Sequence, residues 1–125
     1  MWTVLFDPAF EPEFDEMSDA VQDELLAHAG LLHEFGPELG RPQVDTLKGS
    51  SHKNMKELRF QADGGVWRLA FAFDPKRKAV LLVAGDKSGV NQKRFYRALI
   101  TKADTRFAAH LDALKSGVSK KKKRR

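Results

Sequence analysis

From Lys56 to Asp74 (KELRFQADGGVWRLAFAFD) apolar and polar residues alternate, interrupted once at Asp63-Gly64. A period of two predicts strands, and an Asp-Gly pair between two such runs predicts a tight β-hairpin. Centring the hairpin on that pair sets Phe60 opposite Trp67 and Leu58 opposite Leu69. Leu58, Phe60, Trp67, Leu69, Phe71 and Phe73 then form a core face. The other face carries Glu57, Arg59, Gln61, Val66, Arg68, Ala70 and Ala72, a floor of small residues holding two arginines. AVLLVA, Ala79 to Ala84, reads as a third strand covered on both sides, joined to the hairpin by DPKRK as an antiparallel meander.

Outside the meander the period changes. WTVLF, Trp2 to Phe6, is rich in strand formers. Asp7-Pro8 opens a short first helix. Ser18 caps a main helix in which Val21, Leu25, Ala29 and Leu32 recur at helical spacing, and Gly36-Pro37 ends it. A loop from Leu39 to Lys56 turns basic in its later part. The last helix is predicted over Asn91 to Leu114, with Phe95, Leu99, Ala103, Phe107, Leu111 and Leu114 as its apolar stripe. The pattern is α+β: a small antiparallel sheet of an N-terminal strand plus a three-stranded meander, packed against helices. One domain is expected over residues 1–115, followed by a basic disordered tail at 116–125.

Composition narrows the chemistry. With 125 residues and no cysteine, the chain offers a single core, no disulfides and no thiolate metal site. No apolar run suits a membrane span and the start lacks a signal peptide's regions, so a soluble, cytoplasmic protein is expected. Charge is segregated. Residues 1–45 hold eleven acidic and one basic side chain, and residues 46–125 hold twenty-one basic and six acidic, giving −10 against +15. Such asymmetry points to a polyanion-binding face with an acidic surface elsewhere.

The hairpin register puts Arg59 directly across from Arg68, although like charges opposed on a sheet are destabilising. Two resolutions are open. An anion such as phosphate bridges the guanidiniums, or an internal carboxylate does, from Glu57 or the first helix. On the first, alanine at either position removes repulsion, leaves the fold intact and slightly raises thermal stability. Motifs for a phosphate loop, a zinc protease helix or a nucleophile elbow are absent. His28, His33 and His110 lack metal-ligand spacing. His52, between Lys48 and Lys53, is either a loop histidine or a general acid or base. Tyr96 either packs at the sheet edge or contacts a ligand.

The order strand, two helices, basic loop, meander and final helix resembles the RelE/ParE superfamily of bacterial toxins. LKGSSHKNMKELRF, GVWRLAFAFD and AVLLVAGDKSG resemble its HigB-type, phage-derived branch. The resemblance implies a toxin that cuts mRNA on the ribosome as a metal-independent endoribonuclease, without cofactor, silenced by a HigA-like helix-turn-helix antitoxin. It assigns Arg59 and Arg68 to phosphate positioning and transition-state stabilisation, and Lys87 to the lysine closing the last strand. His52, Lys48 and Lys53 correspond to the basic loop. Lys56, Lys93, Arg94 and Tyr96 are expected contacts to mRNA or ribosomal RNA. Ser88 stands where relatives often pair a second lysine, and no tyrosine ends the sheet, so Tyr96 is a helical substitute. The other readings are a ParE-like toxin that binds a protein such as DNA gyrase, and a non-catalytic RNA-binding module.

Overall fold

Two helices clasp one sheet from opposite sides, and alternation along the strands decides what each helix covers. The computed structural model describes residues 1–117. It runs β1 (Thr3–Phe6), α1 (Phe10–Asp15), α2 (Asp19–Phe35), a 3-10 turn at Gly36–Glu38, β2 (Val44–Thr46), β3 (Lys56–Ala62), β4 (Gly65–Phe73), β5 (Lys78–Asp86) and α3 (Gln92–Ser116). The tail expected from residue 116 thus begins inside α3, which Gly117 caps in the left-handed region. The rest of that expectation lies outside the described residues.

The strands form a five-stranded sheet in the order β1-β5-β4-β3-β2. The meander has the predicted register, with Leu58 opposite Leu69, Phe60 opposite Trp67 and Arg59 opposite Arg68. Asp63 and Gly64 both take positive φ, as a primed hairpin turn requires. Two features depart from the expected sheet. β1 pairs with β5 in parallel, not antiparallel, Thr3 lying beside Lys78. And the segment read as loop contributes β2, whose Val44 pairs with Leu58 and is buried. Three residues are too few for the alternation to register in the sequence.

The face of Leu58, Phe60, Leu69 and Phe71 packs on Val21, Leu25, Ala29 and Leu32 of α2, with Phe10 of α1. Ser18 caps α2 as predicted, its Oγ accepting from the Val21 N–H at 3.3 Å. Asp7 acts one turn ahead of α1, its Oδ2 accepting from the Ala9 N–H at 2.9 Å.

The opposite face is not the open floor its small residues suggested. Ala70 and Ala72 are fully buried beneath Leu99, Ala103 and Phe107 of α3, together with Leu47, Met55, Val80 and Leu82. A bulge in β5 at Ala70/Phe71 shifts the register, so that Leu82 and Val83 both serve this second core. Past the bulge, Gly85 lies opposite Arg68, and a side chain there would meet the Phe95 ring at 3.0 Å. Helix α3 therefore still lies against the sheet at the end where the arginines are.

Candidate functional site

Arg59 and Arg68 share the α3 face of the sheet, beyond the last small residue that the helix covers. Between them lies a carboxylate. Glu57, two positions before Arg59 and so on the same face, is 4% exposed. Its Oε2 accepts from Arg59 Nε at 3.1 Å and Nη2 at 3.0 Å. Its Oε1 accepts from the Tyr96 hydroxyl at 2.7 Å and stands 3.7 Å from Arg68 Nε. Arg68 Nε in turn donates to the Tyr96 oxygen at 3.1 Å, and its Nη1 to the Trp67 carbonyl at 3.0 Å. Asp45 of β2 adds a second acceptor for Arg59 Nη2 at 3.3 Å. Of the two resolutions open from the sequence, the internal carboxylate is the one in place.

This arrangement reverses an expectation. Alanine at Arg59 would take two hydrogen bonds from a buried carboxylate, and alanine at Arg68 a positive charge 3.7 Å from it, so the loss is expected to outweigh any repulsion relieved. The bonds described use Nε and Nη2 of Arg59 and Nε and Nη1 of Arg68. Nη1 of Arg59 and Nη2 of Arg68 have no partner among the described residues, so each guanidinium keeps donors for a further anion. The Glu57 hydrogen bond, against the opposing effect of burial, holds Arg59 above the usual arginine value. Burial, then the bond to Glu57, pushes the Tyr96 phenol up, while Arg68 pulls it down less strongly. A hydrogen bond from the Thr46 N–H leads the causes that hold Asp45 below the usual carboxylate range.

Above the cluster a cleft of about 330 Å³ is lined by Asp45, Thr46, Leu47, Lys48, Glu57, Arg59 and Tyr96. Tyr96 also borders a neighbouring hollow with Lys93 and Arg97. Lys87 follows Asp86 at the end of β5, where its backbone N–H donates to Val66, on the strand face of Arg68. Its Nζ donates to Gln92 Oε1 at 3.0 Å. Ser88 donates through N–H and Oγ to Asp86 Oδ1, which also takes the Val66 N–H. That knot fixes the loop carrying Lys87, and its Ser88 hydroxyl leads in holding Asp86 below the usual carboxylate range.

Not every residue expected at the site is brought to it. Lys48 and Tyr96 line the cleft, and Lys93 borders only the neighbouring hollow beside Tyr96. The ring of His52 instead lies edge-on to Phe107, 5.1 Å between centroids, and lines a separate hollow with Pro75, Leu111 and Asp112. Phe107 is eleven residues along α3 from Tyr96, about 16 Å of helix, so His52 stands apart from the arginines. Ser50 and Ser51 cause this by tying the loop to Asp104 of α3. Lys56 shares strand parity with Leu58 and Phe60, which puts it on the face away from Arg59. Arg94 borders a hollow with Arg97, Lys102 and Arg106 on the flank of α3, and Lys53 is exposed in the loop. Sequence reasoning named Glu57 as one option among several and did not place Tyr96 beside it. A helical residue meeting a strand thirty-nine positions earlier leaves no local signal.

Among the described residues no group of three or more His, Cys, Asp or Glu could hold a metal ion. No helix among them is long and apolar enough to cross a membrane.

Residues 12–108 match the family described as phage-derived protein Gp49-like. The chain is 47% identical over 102 residues to the candidate toxin HigB2 of Mycobacterium tuberculosis, a match covering 81% of this chain and 50% of that protein. It is 43% identical over 103 residues to the candidate toxin HigB3 of the same organism, covering 82% and 88%. The chain thus spans about half the length of the first relative and most of the second. Among solved structures, an arginine-substituted mutant of the E. coli toxin RelE in the free state superposes with a TM-score of 0.55 at 13% identity, covering 81% of this chain and 95% of that one. At that identity the likeness is one of fold. Two relatives above 40% identity and a family match over residues 12–108 agree: the chain belongs to the Gp49-like family of phage-derived proteins, with HigB2 and HigB3 among its relatives.

Proposed function

We propose that the protein is the toxin of a type II toxin-antitoxin system, an endoribonuclease that cleaves mRNA on the ribosome and is held inactive by a helix-turn-helix antitoxin. One observation carries the reading. Arg59 and Arg68 oppose each other on one sheet face, Lys87 follows β5 beside Val66 just past them to extend the row, and Arg59 borders an open cleft edged by Lys48. Such a row suits an RNA backbone, whose phosphates recur along the strand. A protein target such as gyrase asks for no such row.

The chemistry asked of these residues is modest. When a ribose 2′-oxygen attacks the adjacent phosphorus, negative charge builds on the non-bridging oxygens and the 5′-oxygen departs. The products are a 2′,3′-cyclic phosphate and a 5′-hydroxyl. Preorganised donors aimed at those oxygens lower the barrier without reorganising. The unpartnered Nη1 of Arg59 and Nη2 of Arg68 are such donors, each held rigid because its other nitrogens are bonded within the fold. Lys87 adds charge from the adjoining loop. No metal is needed for this route.

The test is induced expression in a bacterial host with transcript mapping. We expect growth arrest, cleavage within translated regions and new 5′-hydroxyl ends. Arg68→Ala should abolish all three while the protein remains expressed. Arrest without new RNA ends, or with DNA breaks, refutes the nuclease reading.

A further inference from the structure

The cleft beside Arg59 and the larger hollow next to it share Tyr96 and consecutive residues of one loop, Lys48 bordering the first and Gly49 the second. A single carboxylate of α3, Asp104, ties that loop to the helix. We propose that Asp104 is a positioning residue: by latching the loop of residues 48–53 onto α3, it builds one wall of a trough that takes a single RNA strand from the arginine pair past Tyr96 to Arg97. The inference rests on the endoribonuclease reading above and adds to it the path of the substrate.

The core fixes both ends of the loop but not its middle. Leu47 and Met55 are buried, and the Leu47 N–H donates to the Met55 carbonyl at 3.0 Å. Between them the sequence KGSSHKN has no aliphatic side chain to bury. His52 and Asn54 reach Phe107 and the Phe73 carbonyl, on the side away from the cleft. Asp104 holds the Lys48 half. Its Oδ1 accepts from Ser50 Oγ at 2.5 Å, and its Oδ2 from the Ser51 N–H at 2.9 Å and Ser51 Oγ at 3.0 Å. Ser50 Oγ also accepts from the His52 N–H at 3.0 Å, which closes the turn. Gly49 takes a φ of +99°, and a side chain there would meet Ile100 Cδ1 at 3.4 Å, so the loop lies directly against the helix.

The distribution of charge argues for a substrate wall rather than a brace for the fold alone. From Lys87 to Ala103 the chain carries five basic residues and no acidic one. Asp104 is the first carboxylate of α3, about 12 Å of helix beyond Tyr96, and donors from the loop engage both of its oxygens. It anchors without leaving a bare negative charge where a phosphate would pass. Arg97, by contrast, makes no hydrogen bond or ion pair among the described residues, and it borders the second hollow with Lys93 and Thr101. Lys48 adds a cation from the loop side of the cleft. Unspent cations spaced along a trough suit a single strand, whose phosphates recur along its length. A loop released from Asp104 would carry Lys48 out of its place, and the cost of ordering it again would weaken binding.

Amide hydrogen exchange tests whether the latch holds the loop. Asp104→Ala should speed exchange at residues 49–52 by about tenfold or more and leave β3 and β4 unchanged. Single-turnover cleavage of mRNA on programmed ribosomes tests what the latch is for. In Asp104→Ala, and in the paired Ser50→Ala and Ser51→Ala variant, the half-saturating ribosome concentration should rise about tenfold, as for one lost contact to a charged group, with the saturating rate within about threefold of wild type. Lys48→Ala should raise it about as much in the wild type, but less than about twofold on top of Asp104→Ala, because the latch acts through Lys48. Arg97→Ala, on the other wall, should raise it about tenfold in both backgrounds. Unchanged exchange in Asp104→Ala overturns the proposal. So does faster exchange with unchanged half-saturation, which would make the latch a support of the fold alone, and so does a Lys48→Ala effect equal in both backgrounds. Wild type that leaves ribosome-bound mRNA intact overturns the endoribonuclease reading. A fluorescent single-stranded RNA bound about tenfold less tightly by Asp104→Ala would then still support the trough, and equal binding would overturn it.

Discussion

The two faces of the sheet are built from the same strands and closed in opposite ways. On the α2 side, Leu58, Phe60, Leu69 and Phe71 meet a helix whose inner stripe is apolar from Val21 to Leu32. Its acidic residues point outward. On the α3 side the apolar contact runs from Phe107 to Leu99 and then gives way, at Tyr96, to Glu57, Arg59 and Arg68. The first face does one job and the second does two. A helix that packs along part of its length can carry a polar constellation on the remainder, provided every buried group there is bonded. No buried side-chain nitrogen or oxygen among the described residues lacks a partner.

The comparison breaks hardest on the α2 side. Phe71→Ala removes a fully buried ring from that core and should cost about 3–5 kcal/mol, read by chemical denaturation. A cost below about 1 kcal/mol would mean that the core does not close as described.

On the α3 side the effects are smaller and of a different kind. Arg59→Ala leaves the buried Glu57 with fewer donors and should cost about 1–3 kcal/mol. Adding Glu57→Gln should recover more than half of that, because the orphaned charge goes with it. If Arg59→Ala stabilises instead, repulsion between the arginines governs and the carboxylate's role is refuted.

His52→Ala sharpens the boundary between site and support. Cleavage should fall less than about tenfold, against the ~10²–10⁴ that a proton-transfer group supplies. A larger loss with normal folding would return the loop to the mechanism.

Acid should loosen the support gently. The Arg106 hydrogen bonds hold Glu13 low. Burial raises Asp104, but the bonds from Ser50 and Ser51 outweigh it and bring it below its usual value. Both carboxyls titrate lower folded than unfolded. Their stabilisation is therefore complete above the unfolded carboxyl values near ~4 and is lost as pH falls through the lower folded ones. Melting temperature should fall below about pH 4, and Asp104→Asn should flatten that fall. A melting temperature that rises on acidification contradicts the assignment.

Much of this was legible in the sequence where a signal is local. The hairpin, the Ser18 cap and the stripe of α2 each rest on residues within a turn or two of one another, and so did the opposition of Arg59 and Arg68. What escaped depends on distance along the chain. Small residues at Ala70 and Ala72 look like an open floor until α3 is laid over them. The loop histidine reads equally as a loop residue or a proton-transfer group, and its distance from the arginines emerges only once Asp104, fifty-two positions later, anchors the loop to α3. The partner of Tyr96 lies on another element altogether.

The parallel pairing of β1 with β5 bears on when this protein comes into being during its own synthesis. Thr3 must wait for Lys78, seventy-five positions later, before its strand has a neighbour, and closing so long a loop is slow compared with forming the hairpin. The hydroxyl that completes the cluster arrives later still, on the last helix. A growing chain can thus present folded β3 and β4, arginines included, while lacking the edge strand and the helix. Chain order delays the finished cleft until α3 has been made, after every strand of the sheet.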